Sequence, residues 1–156
     1  MLKHSTNFQY KGLRLKSGHV YKFRYKFWQN DPEPLVVLLY KISGTHPKTE
    51  KRWNLIQAIN FNYVPRPVRK NFATDWKQAF DKRKGNIILT WRDVKRKYPE
   101  VVNSDALRRY VLNPSYAITN LKIIPMDRME EVLISTWAKD FSTKVRKAIA
   151  KKLWRK

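Results

Sequence analysis

The stretch Val20 to Trp28, VYKFRYKFW, carries an aromatic ring at every second position from Tyr21 to Phe27 and a cation at each intervening position from Lys22 to Lys26. Side chains of a strand alternate between its two faces, whereas a helix would scatter these rings around its axis, so the segment predicts a strand. One face is ringed and the other charged. Exposed rings on a sheet stack unpaired bases; buried rings build a core, each contributing on the order of a few kcal/mol. A chain of 156 residues has room for one core of ordinary size and needs its large side chains there. Tyr21, Phe23, Tyr25 and Phe27 are therefore expected to point inward, with Lys22, Arg24 and Lys26 on the solvent face, within reach of phosphates.

Two further segments of the first half have strand character. Leu35 to Ile42, LVVLLYKI, is a continuous apolar run of strand length, and Trp53 to Val64, WNLIQAINFNYV, alternates with β-favouring residues. Between the strands, NDPEP and SGTHPKTEK supply turn residues. Loops this short join antiparallel neighbours, since parallel ones need long crossovers, so residues 18–65 predict a small antiparallel, SH3-like sheet. Residues 1–17 read as a basic N-terminal arm.

After VPRP the period changes. Val68, Phe72, Trp76, Ala79 and Phe80 share one helical face, which predicts a helix over 68–80. Thr90 is the predicted cap of a helix running through Trp91, Val94 and Tyr98 to Pro99, and Ser104 that of a short helix, DALRRYVL. Leu121 to Ile124 predicts a last strand. Pro125 opens a helix with Asp127, Glu130 and Glu131 in its first turns and an apolar stripe of Met129, Val132, Leu133 and Trp137. Ser142 caps a basic C-terminal helix striped by Val145, Ala148, Ile149 and Leu153. Residues 66–156 are thus expected to be mainly helical, and residues 1–156 to form one α+β domain in which packed helices cover the sheet.

The 34 Lys and Arg against 12 Asp and Glu leave a formal charge of +22, whose self-repulsion opposes folding unless a polyanion or an acidic surface neutralises it. Hydrophobic residues nevertheless make up 42% of the chain, too many for a disordered one. Nucleic acid fits the charge, because each phosphate met by Lys or Arg releases condensed counterions without any reading of sequence. Candidate phosphate contacts are Lys22, Arg24 and Lys26; the cluster Arg66, Arg69 and Lys70; and Lys82, Arg83, Lys84, Lys95, Arg96 and Lys97 in KRKGNIILTWRDVKRK. The C-terminal segment adds Lys144, Arg146, Lys147, Lys151 and Lys152.

Signals of catalysis are sparse. With no cysteine there are no disulfides and no thiol chemistry. His4, His19 and His46 stand apart from one another, and Gly12, Gly18, Gly44 and Gly85 follow no phosphate-loop spacing. A magnesium-dependent nuclease needs clustered carboxylates, for which the sequence offers Asp31 with Glu33, Glu50, and the Asp75/Lys77 and Asp93/Lys95 pairs. No catalytic residue, metal ligand or cofactor is assigned. No run approaches the roughly 18 apolar residues of a membrane span, nor does the N-terminus carry a signal-peptide core, so no membrane partner is expected.

The order of motifs carries one further implication. GHVYKFRY, PEPLVVLLY, IQAINFNYVPRPVR, LRRYVL and ISTWAKDFSTKVRKAI together resemble a family of small basic proteins encoded by tailed bacteriophages, of the DNA end protector type. The matching positions are Tyr21, Phe23 and Tyr25; Asn60, Tyr63 and Pro65; and Trp137 with Asp140. Ala58 stands where the family carries Gly. The resemblance implies a non-enzymatic protein of the virion or host cytoplasm, part of a larger assembly, that binds DNA and shields genome ends. The carried-over residues are expected to determine the fold. The rival expectation is a structural component of the neck, tail or baseplate whose cations meet acidic surfaces of other virion proteins.

Overall fold

The computed structural model describes residues 1–28, 31–102 and 105–135. The chain is α+β, built on a sheet whose strands are all antiparallel: β7 (Leu107–Val111), β6 (Arg52–Asn60), β5 (Leu35–Thr45), β4 (Val20–Tyr25) and β8 (Ile118–Ile124), in that order, with β1 (Leu2–Ser5) also paired to β5. β4 and β1 share one edge of β5 end to end, Val20 to Lys22 lying opposite Leu35 to Val37 and Leu2 to Ser5 opposite Lys41 to Gly44. The other edge of β5 pairs along its length with β6, interrupted by a bulge between Leu38 and Tyr40.

Each face of this sheet is covered. Against one lie α1 (Arg66–Lys82), α2 (Ile87–Lys97), α3 (Pro99–Val102) and α4 (Met129–Ser135); Phe72, Trp76, Val94, Met129 and Leu133 pack with Val20, Leu35, Val37 and Ile59. Against the other lies a hairpin of β2 (Asn7–Tyr10) and β3 (Leu13–Lys16), whose Phe8 and Leu15 cover Tyr21, Phe23, Tyr25, Val36 and Leu38. Coverage on both sides explains why LVVLL is a continuous apolar run rather than an alternating one. The rings of Tyr21, Phe23 and Tyr25 point inward as expected, and the Tyr25 hydroxyl accepts the Val111 N–H at 3.1 Å.

Several expectations are corrected. Residues 1–17 are not an arm: Lys11 and Gly12 both take positive φ, as a tight two-residue hairpin turn requires, and the apolar side chains this brings together cover the ringed face of β4. Phe27 lies beyond the end of β4 and is 49% exposed. The segment expected to be a helix after Ser104 is instead β7. Eight residues are too few to hold a helix unaided, whereas pairing satisfies the outer edge of β6 and buries Tyr110. The last strand expected over Leu121 to Ile124 is present as part of β8 (Ile118–Ile124), so two strands fall in the region expected to be mainly helical. Asn86, not Thr90, caps α2, its side chain accepting the Leu89 N–H, while Thr90 is buried and donates to the Asn86 carbonyl at 2.9 Å. β6 stops at Asn60, whose side chain caps a 3-10 turn over Phe61–Tyr63.

Candidate nucleic-acid interface

The predicted phosphate contacts fall at three separate places. Arg24 and Lys26 are exposed at the end of β4, with Lys22 half-buried; the Arg24 guanidinium lies 3.9 Å from Glu33, and the Lys26 ammonium sits 4.5 Å from the centre of the exposed Tyr116 ring. Arg66 and Lys70 are exposed on the first turns of α1. Lys82, Lys84, Lys95, Arg96 and Lys97 are exposed along the α1–α2 hairpin. At a rise of 1.5 Å per residue, Arg66 and Lys82 stand about 24 Å apart along the axis of α1, so no single phosphate neighbourhood takes them all.

Arg69 is removed from the set. It is 4% exposed and donates to the Val64 carbonyl at 3.1 Å, because 69, 72, 73 and 76 follow the helical spacing of the core stripe on which Phe72, Ala73 and Trp76 are buried. Arg83 and Lys97 have carboxylate partners within the hairpin: Arg83 Nε lies 2.9 Å from Asp93, and Lys97 Nζ 2.9 Å from Asp75. The Tyr98 hydroxyl also donates to Asp75. That hydrogen bond above all, helped by the Lys97 ammonium, holds the Asp75 carboxyl below the usual carboxylate range against the opposing effect of burial. Burial, followed by the same carboxylate, pushes the Tyr98 hydroxyl up to about 12. Both contacts tie α1 to α2 and leave Lys82, Lys84, Lys95 and Arg96 turned to solvent, joined by Arg92. Among the described residues no carboxylate pairs with any of these five. Arg92 is a member that sequence alone left out, although its i,i+3 spacing to Lys95 on an amphipathic helix placed it on the same side.

Lys144, Arg146, Lys147, Lys151 and Lys152 lie outside the described residues, as do Ser142, Trp137 and Asp140.

The carboxylates considered for metal binding are dispersed. Asp75 and Asp93 serve the ion pairs above, and Asp31 is wholly buried beneath the end of β6. There its carboxylate accepts from the side-chain amides of Asn60 and Asn62, the latter at 3.0 and 3.1 Å. Asn60 donates as well to the Tyr110 hydroxyl at 2.8 Å. Burial pushes the Asp31 carboxyl up, opposed by the Asn60 and Asn62 amides and by the Arg108 charge. Arg108 itself lies over the Trp28 ring at 4.0 Å and the Tyr63 ring at 5.1 Å, and Trp28 Nε1 donates to the Tyr63 hydroxyl. Burial pushes that hydroxyl up to about 12. Asn60 and Tyr63, two of the motif residues, thus sit in a buried polar network that fastens the β4–β5 loop to β6. Among the described residues, no three His, Asp or Glu side chains converge as a metal site would require, and no helix is long and apolar enough to cross a membrane.

No protein-family model, no curated protein and no solved structure matches the chain.

Proposed function

We propose that this chain is a non-catalytic nucleic-acid-binding protein that contacts DNA through phosphates with little sequence preference, the α1–α2 hairpin being its main contact surface. The observation that carries this is the set of five exposed cations, Lys82, Lys84, Arg92, Lys95 and Arg96, free of carboxylate partners among the described residues and held on a hairpin that two internal ion pairs fix. Cations arranged to stabilise the protein itself would face acids, as Arg83 and Lys97 do. The bacteriophage resemblance supports a place for this binding at the ends of a packaged genome.

Titration of labelled duplex DNA over a range of salt concentrations tests the proposal. The slope of log affinity against log salt is expected to be steep, roughly −0.9 for each phosphate neutralised, and to become less negative by about one for each of Lys82, Lys84, Lys95 and Arg96 replaced by Ala. Absence of binding at low salt overturns the proposal and favours a virion component whose cations meet acidic protein surfaces.

A further inference from the structure

Between the β1 edge of the sheet and the exposed side of α2 lies a cleft of about 350 Å³, at the low end of the roughly 300–1,000 Å³ found for small-ligand sites. One wall is a pair of stacked rings, His4 from β1 and Tyr40 from β5, with centroids 4.7 Å apart and planes 20° from parallel. The opposite wall is Ile88 and Trp91 of α2, and Arg92 and Lys95 stand at the same helix, one turn on. No carboxylate lines the cleft. The core-facing residues of α2 are Ile87, Thr90 and Val94; Ile88, 67% exposed, is left out of the core, while half-buried Trp91 packs against the core with one part of its ring, 6.2 Å from Trp76.

A bare phosphate would use the two cations and not the rings, and an apolar ligand would use the rings and not the cations. A nucleotide uses both. Its base has the π-face that stacks on aromatic side chains, and bases inside a duplex are already stacked on each other and cannot enter. We propose that this cleft takes an unpaired nucleotide of a single-stranded segment, the base against Trp91 and the His4–Tyr40 stack and the flanking phosphates on Arg92 and Lys95. The inference rests on the nucleic-acid reading above and adds to it a preference for single strands at one end of the basic hairpin.

The test is an anisotropy titration, at fixed salt, with a fluorescent oligothymidylate of about 15 nucleotides and with a blunt duplex of the same length. The wild-type protein is expected to bind the single strand more tightly. Ile88→Ser and His4→Ala truncate side chains at exposed positions; each is expected to weaken single-strand binding by about tenfold while duplex affinity and the thermal unfolding midpoint stay unchanged. Stacking should also quench tryptophan fluorescence, and Trp91→Phe should remove that quench. Single-strand affinity that is unaltered in both variants, with duplex binding and its salt slope intact, overturns the cleft assignment and spares the hairpin. Loss of all binding by the wild type overturns both. Free thymidine monophosphate that displaces the oligonucleotide at equal nucleotide concentration, or a wild-type dimer that Ile88→Ser converts to monomer, assigns the cleft to another occupant and equally overturns the proposal.

Discussion

Asp31 has no solvent exposure, although the segment around it, NDPEP, is composed of turn residues. What sets its role is the arrival of Asn60 and Asn62 from the far end of β6, a contact that no local pattern announces. Replacing Asp31 by Ala would strand two buried amide donors, and we expect a loss of about 3 kcal/mol, read as a lowered urea midpoint. Asp31→Asn gives the pH dependence. Because burial holds the folded-state pKa above the unfolded one, the stability of the wild type relative to Asp31→Asn is greatest below the unfolded value of about 4 and declines as pH rises through the folded pKa. A stability difference that stays constant across that range would contradict this sign. Arg69 offers the opposite lesson. Its place beside Arg66 and Lys70 suggested a phosphate contact, yet its spacing to Phe72, Ala73 and Trp76 already put it on the buried stripe; periodicity was the better guide than charge.

At the level of elements, segments with one strong period folded as their pattern required: α1 from 3.6-residue spacing, β4 from alternation, β5 from an apolar run covered on both faces. Misjudged segments were those whose conformation depends on a distant neighbour. LRRYV has apolar positions compatible with either period, and the open edge of β6 decides for a strand. The hairpin of β2 and β3 is short and polar at alternate positions, so only the ringed face of β4 that it covers reveals its purpose. The α1–α2 hairpin lends itself to an experiment. Asp75→Ala removes the partner of Lys97 and Tyr98, and should cost about 1 kcal/mol for a contact this open to solvent. The lowered pKa of Asp75 makes this contribution present above the unfolded carboxylate value and lost as pH falls through the folded one. Thermal melts of the two proteins should therefore converge in acid, while freeing Lys97 should steepen the salt slope of DNA binding. Divergent melts in acid would show that the contact works otherwise.

For the molecule as a whole, a formal charge of +22 makes salt act in two directions. Screening reduces the repulsion within the folded chain and at the same time weakens phosphate contacts. Raising sodium chloride from about 0.05 to 0.5 M should therefore raise the melting temperature of the free protein and lower its affinity for DNA, and in dilute buffer duplex DNA itself should raise the melting temperature. A melting temperature that falls with salt would mean that the ion pairs outweigh the repulsion. The sign of the charge was legible from composition; which cations of the α1–α2 hairpin stay unpaired was not, since it depends on which acids the fold brings to Arg83 and Lys97. The pairing of Val20 with Ile124 and of β1 with the far half of β5 bears on synthesis. At about 5–20 residues per second, roughly 5 to 20 s separate the emergence of β4 from that of its β8 partner, so the nascent chain exports its ringed strand long before that edge can close, and the hairpin that precedes those rings in the chain is made in time to shield them.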